Sequence, residues 1–256
     1  MLTATLARTW VDRWDRQQER YMTDREERFA VITDVVEASA GRPDPLVIDI
    51  GCGPGSLAAR VLDRLPEATV VGIDADPLLL GLAARTYPSE RLRLVEADLR
   101  TTSWTDSLAL PRAADAVVST TALHWLDREQ LAATYTASAS LLRPGGVLVN
   151  GDHLFEGAEA PWLERLGRVV REQRAERAGT ATGRGEDWEA WWHEVQAAPE
   201  LAELVARRAA WSARHRVEDV PTYGEHVDLL RAAGFAEVGT IWQSGDDRVL
   251  VAVLPA

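Results

Sequence analysis

Three glycines at alternate positions, Gly51, Gly53 and Gly55, stand directly behind an apolar run and directly ahead of a helical pattern in "VIDIGCGPGSLAARVL". Glycine loses more backbone freedom on folding than any other residue, so this density predicts a loop that takes positive φ or lies close against another molecule. The backbone N–H groups where the loop enters a helix would donate to an anionic group of that molecule. Asp74 follows nineteen residues after Gly55, in "GIDAD", where a carboxylate can accept from both hydroxyls of a ribose. The loop is not the dinucleotide fingerprint G-x-G-x-x-G, because Ser56 stands where the third glycine should fall, and this disfavours a nicotinamide or flavin dinucleotide. Histidine is the ordinary side-chain base near neutral pH. Of the five here, His124 and His153 each follow a predicted strand, whereas His193, His215 and His226 fall on predicted helices and read as solvated or packing residues.

The elements that position these groups alternate. "LVIDI", "TVVGID", "LRLVEAD", "ADAVVST" and "GVLVNGDH" are short apolar runs separated by helical patterns, which predicts βαβ units, a mostly parallel sheet and strands covered by helices on both faces. In such a sheet ligands lie beyond the carboxyl ends of the strands, where the strand order reverses, so the loop after the first strand is the expected cradle. The final runs "FAEVGTIWQ" and "RVLVAVL" are joined by "SGDD", a link short enough only for an antiparallel hairpin. The reading is an α/β, Rossmann-like, seven-stranded and mostly parallel sheet with an antiparallel C-terminal hairpin. Residues 1–43 form a helical N-terminal cap and 44–153 the cofactor-binding core. Residues 154–220 form a helical insertion or lid, and 221–256 complete the core. The segment "GTATGRG", glycine-rich and without an apolar anchor, is the expected mobile part of the lid.

With Asp49 the loop becomes D-x-G-x-G-x-G, and over roughly residues 46–152 the sequence resembles the class I S-adenosylmethionine-dependent methyltransferases. The resemblance implies S-adenosyl-L-methionine as cofactor and a site made of Asp49, Gly51, Cys52, Gly53, Gly55, Asp74, Ala75, Asp98, Leu99, Ser119 and Thr120. In it the glycines let the backbone approach the methionine part and Asp49 lies close to the ammonium group. Asp98 accepts from the adenine amino group, Leu99 contacts the ring, Ser119 and Thr120 border the methionine, and residues 121–124 face the methyl group. Asp76, directly before Pro77, reads as a helix N-cap.

Methyl transfer from a sulfonium needs chiefly alignment of the acceptor and exclusion of water; a base assists where the acceptor brings a proton. His124 and His153 are the candidates for catalysis. Seven of the ten tryptophans, Trp10, Trp14, Trp162, Trp188, Trp191, Trp192 and Trp211, lie in the N-terminal cap or the insertion, where aromatic side chains can wall an apolar acceptor or anchor short helices. "ALHWLD" and "LLRPGGVL" are similar to the small-acid and carrier-protein carboxyl methyltransferases, such as the trans-aconitate type. A carboxylate acceptor would want arginine partners, and Arg165, Arg168, Arg171 and Arg174 recur at spacing three.

Composition bounds the partners. The net charge of −12 disfavours a nucleic-acid surface, which needs a basic stripe, and no apolar run reaches membrane-spanning length. All 28 basic residues are arginine, so lysine nucleophile chemistry is absent, and the single cysteine, Cys52, provides neither a disulfide framework nor a metal cluster. The expectation is a cytoplasmic enzyme acting on an O or N atom of a small-molecule acceptor, with a homodimer left open. The alternatives are a tRNA or carrier-protein methyltransferase, a non-catalytic regulatory protein, or a cyclase using the same cofactor.

Overall fold

The structure is a computed structural model that describes residues 2–179, 186–210 and 220–256. In chain order the strands are β1 Leu46–Ile50, β2 Thr69–Asp74, β3 Leu92–Glu96, β4 Ala114–Thr120, β5 Leu142–His153, β6 Glu237–Ser244 and β7 Asp247–Val253. The helices are α1 Ala4–Gln18, α2 Arg25–Ala40, α3 Ser56–Arg64, α4 Pro77–Thr86, α5 Arg128–Leu141, α6 Pro161–Ala178, α7 Trp188–Ala197, α8 Ala202–Ala210 and α9 Tyr223–Ala232. The strands form one sheet in the order β3-β2-β1-β4-β5-β7-β6, parallel from β3 to β5 and antiparallel at β5–β7 and β7–β6. Order reverses between β1 and β4, so the loops after these two strands face a common crevice.

Alternation along the strands explains the two-faced core. Leu46, Ile48 and Ile50 of β1 point to one face, where Leu131 and Tyr135 of α5 and Leu229 and Leu230 of α9 cover them. Val47 points to the other face with Val70, Val118 and Val149, under Phe29, Ile32 and Val36 of α2 and Leu57 and Val61 of α3. The expectation of strands buried on both faces fails at β3. It is half-buried along its length because it forms the sheet edge with a neighbour on one side only.

A third apolar cluster stands over α4: Ala7, Trp10 and Val11 of α1 and Trp191, Trp192 and Val195 of α7 pack on Leu78, Leu79 and Leu82. The N-terminal helix α1 and helix α7 therefore pack against each other. The contact is tied by the Trp191 indole donating to the Trp10 carbonyl at 3.3 Å, the Trp10 indole donating to Glu200 at 3.2 Å, and an Arg13–Glu186 ion pair. The insertion nevertheless divides. α6 buries no residue and lies against β6, with Arg171 paired to Asp246 and Arg174 to Asp24, away from the tryptophan cluster. Most of "GTATGRG", with Trp211 and His215, lies outside the described residues.

Candidate active site

The glycine loop turns the chain from β1 into α3, and all three glycines have positive φ, +69° at Gly51, +54° at Gly53 and +83° at Gly55. Their reasons differ. A Cβ on Gly51 would sit 2.3 Å from the Cβ of Ala122, one on Gly55 would press on Ala83 and Tyr87 of α4 or just beyond it, and one on Gly53 would meet nothing within 4 Å. Gly51 thus admits the loop after β4, Gly55 admits α4, and Gly53 leaves open space where a ligand can approach the backbone.

That space belongs to a cleft of about 620 Å³ along the carboxyl edge of the sheet. Gly51, Cys52, Gly53, Asp74, Ala75, Asp98, Leu99 and Thr120 line it, with Thr121 and His124 beyond them. Three expected cofactor residues do not: Gly55 faces α4, Ser119 is buried and spends its hydroxyl on the Ile50 carbonyl at 2.9 Å, and Asp49 is fully buried in β1. Burial of Cys52 pushes its thiol pKa up, so it serves as an inert filler.

The acids are arranged to receive polar ligand groups. Asp74 ends β2 and accepts from the Gly53 and Asp76 amides, both at 2.8 Å; a carboxylate with two such bonds retains acceptor sites for hydroxyls. Desolvation pushes its pKa up to about 6. Neither carboxylate oxygen of Asp49 finds a hydrogen bond among the described residues. Burial, with the nearby charge of Asp74, pushes its pKa up to about 7, opposed by the amide of Ala58 in the first turn of α3. A buried acid left this way suits a cationic partner, as the ammonium of an amino acid would be. The Asp98 carboxylate accepts from the Arg100 backbone N–H at 3.0 Å and from the Arg100 guanidinium Nε at 2.8 Å. Asp76 caps α4, accepting from Leu78 at 2.9 Å, and pairs with Arg208 at 2.6 Å. Open glycine backbone, an unsatisfied buried acid and an acceptor at the end of β2 together fit an adenosyl amino acid.

At the other end the walls are Trp14, Gln18, Tyr21, Met22, Trp125 and Trp188. The two candidate histidines separate here. His124 sits in a 3-10 turn, Leu123–Trp125, after β4; its Nδ1 lies 3.0 Å from both oxygens of Asp152, and its Nε2 has no partner among the described residues. Burial lowers the pKa of His124, but the charge and hydrogen bond of Asp152 outweigh it and raise the net value. Burial opposes the charge of Asp152, yet His124, Arg28 and His153 hold its carboxyl down at about 2. His153 is already spent: Nδ1 faces Asp246 at 2.9 Å and Nε2 faces the Tyr21 carbonyl at 3.1 Å. Two oxygen acceptors leave no ring nitrogen to act as a base, so His153 ties the link between α1 and α2 to the β6–β7 turn.

His193 is exposed, whereas His226 is buried against Tyr135 at 2.6 Å and burial holds its pKa down at about 4, a packing role rather than a solvated one. Arg165, Arg168, Arg171 and Arg174 do not line the cleft; Arg168 pairs with Glu172 at 3.8 Å and Arg165 covers Trp162 at 5.6 Å. Sequence reasoning passed over Asp152, although an acid ending the fifth strand, next to a histidine ending the fourth, was a readable signal. Arg25 and Arg208 also line the cleft, and no local pattern marked either.

The family model for a methyltransferase domain matches residues 47–146. A trans-aconitate 2-methyltransferase from Methylobacterium radiotolerans is 32% identical over 200 residues, 74% of this chain and 68% of that one. Another from Azoarcus sp. is 30% identical over 60% of this chain and 59% of its own length. Among solved structures, an O-methyltransferase family protein from Burkholderia thailandensis matches with a TM-score of 0.54 at 19% identity, over 97% of this chain and 70% of that chain, a likeness of fold. With a relative this similar over two thirds of its own length and the methyltransferase-domain match over the glycine loop and β1–β4, the chain belongs to the S-adenosylmethionine-dependent methyltransferases.

Proposed function

We propose that the enzyme transfers a methyl group to an oxygen or nitrogen of a small-molecule acceptor that carries an acidic proton, with His124 as the base. The observation that carries this reading is the His124–Asp152 pair: Nδ1 is fixed by a buried carboxylate, and Nε2 is left without a partner on the wall of the cleft. When bound, the cofactor supplies a methyl group already activated as a sulfonium. His124 Nε2 takes the proton of the acceptor, and Asp152 stabilises the imidazolium and fixes its tautomer without becoming protonated itself. Trp14, Trp125 and Trp188 provide apolar walls that exclude water from the reacting atoms. The trans-aconitate methyltransferase relatives support a small-molecule acceptor. The enclosure by α1, α2 and α7 supports a small molecule over tRNA or a carrier protein.

The test is His124→Gln with a panel of small phenols and alcohols, and small carboxylic acids, already ionised, as the base-independent control, scored by mass spectrometry for a gain of one methyl. General-base assistance is worth on the order of 10²–10⁴-fold, so kcat should drop by that factor while affinity for S-adenosylhomocysteine holds. In the native enzyme the rate should fall as pH drops through the raised His124 pKa. A variant that keeps its rate and loses no pH dependence removes the base role.

A further inference from the structure

Arg25 opens α2 and lines the cleft together with the glycine loop and Ser56. Its side chain is only 4% exposed, so the guanidinium has surrendered nearly all its water. Nη2 donates to Asp15 at 2.8 Å, but Nε and Nη1 make no hydrogen bond among the described residues, and the nearest carboxylate to Nη1, Glu26, stands 3.7 Å away. One face of the guanidinium covers the Phe29 ring at 4.5 Å. Burial lowers the Arg25 pKa against the pull of Asp15. Asp15 is itself shared: it also accepts from the Ser56 hydroxyl at 2.6 Å and lies 3.3 Å from Arg60. A buried cationic donor with N–H groups left unpaired is expensive, and the fold retains it on the wall of a ligand cleft.

The location decides what those N–H groups would meet. Ser56 is the first residue of α3, so the carboxylate that holds Arg25 also fixes it beside the N-terminus of the helix that leaves the glycine loop. A helix N-terminus favours an anion, and a guanidinium edge with two spare donors matches a planar one. We propose that Arg25 binds the carboxylate of the cofactor's amino-acid portion, opposite the ammonium that Asp49 receives. The N-terminal cap then belongs to the cofactor site as well as to the acceptor site. This assignment is independent of which acceptor the enzyme methylates.

The test measures binding of S-adenosylhomocysteine and of its decarboxylated analogue, which keeps the amine and thioether, to the native full chain, Arg25→Met and Arg25→Lys by calorimetry, with circular dichroism and thermal melting as folding controls. The native protein should prefer S-adenosylhomocysteine by about 10- to 100-fold, a factor set by charge-assisted hydrogen bonds. Arg25→Met should erase that preference and bind the decarboxylated analogue within about twofold of the native protein, and Arg25→Lys should restore part of it. Equal weakening toward both ligands would reduce Arg25 to a structural tie. Unchanged S-adenosylhomocysteine affinity with a raised acceptor KM would move it to the acceptor. If Arg25→Met does not fold, the native preference and Arg25→Lys decide, and a native protein that binds both ligands equally overturns the proposal.

Discussion

The two ends of the cleft are built in different ways. At the glycine-loop end the groups come from the ends of consecutive parallel strands, and each follows its strand by at most a few residues: Gly51 and Gly53 after β1, Asp74 closing β2, Asp98 after β3. At the end lined by His124 the residues are drawn from α1, the link to α2, the turn after β4 and α7, residues that only packing brings together. The first end can be written as a short motif because a strand, a turn and a helix fix its geometry locally. The second depends on where two helical segments dock. Inside those segments a further contrast appears, between α7, which sinks Trp191 and Trp192 into a shared core, and α6, whose Trp162 is 72% exposed beside Leu163 and Leu166.

The largest test of the contrast is removal of residues 1–39. From sequence, with the glycine loop and acids outside that stretch, the truncation should abolish turnover more than it weakens cofactor affinity. The structure argues otherwise. The deletion strips Phe29, Ile32 and Val36 from one face of the sheet and takes away the buried Arg28, which pairs with Asp247 and donates to the Gly151 carbonyl at 3.2 Å. The truncated chain should show no cooperative thermal transition and no S-adenosylhomocysteine binding. A folded truncation that still binds would return the cap to the status of an accessory lid.

Next in size is the pair Trp191→Ala and Trp162→Ala. Trp191 is fully buried and stacks edge-on against Trp14 at 5.0 Å and Trp192 at 4.9 Å, so truncation should cost about 3–5 kcal/mol in chemical denaturation. Trp162→Ala should stay within about 0.5 kcal/mol, the usual range for an exposed site. Equal losses would mean that α6 is anchored as firmly as α7.

The smallest effect concerns pH and the cofactor end. Asp49 and Asp74 have folded pKa values of about 7 and about 6, raised above the ordinary carboxyl value mainly by burial. A carboxyl raised in the folded state binds protons there more readily than in the unfolded chain. Its contribution to stability is therefore complete below the unfolded pKa and is lost as pH rises through the folded one. A cationic ammonium partner reverses the trend by favouring the ionised acid. Thermal stabilisation by S-adenosylhomocysteine should thus grow from about pH 5 to about pH 8, and Asp49→Asn should flatten that growth. A stabilisation independent of pH in the native protein would separate Asp49 from the ammonium.

Much of this was legible in the sequence. The change from helical to strand periodicity after "GRPDP", the alternation that follows and the short "SGDD" link of the last hairpin gave every strand of the sheet, because strand, helix and turn preferences are local. Asp49 and the three glycines marked the candidate cofactor loop for the same reason. The loop's chemistry is backbone chemistry, and glycine is the residue that reports on the backbone. Tertiary structure alone decided the remainder. It showed that Gly55 yields to α4 while Gly53 faces the open space of the cleft, that β3 is an edge, and that α6 parts company with α7. It also paired His124 with Asp152 across 28 positions and fixed His153 between Asp246 and Tyr21, more than 90 positions away on either side. A histidine's role depends on what its two nitrogens meet, and for these residues the partners lie on other elements, where no spacing in the chain records them.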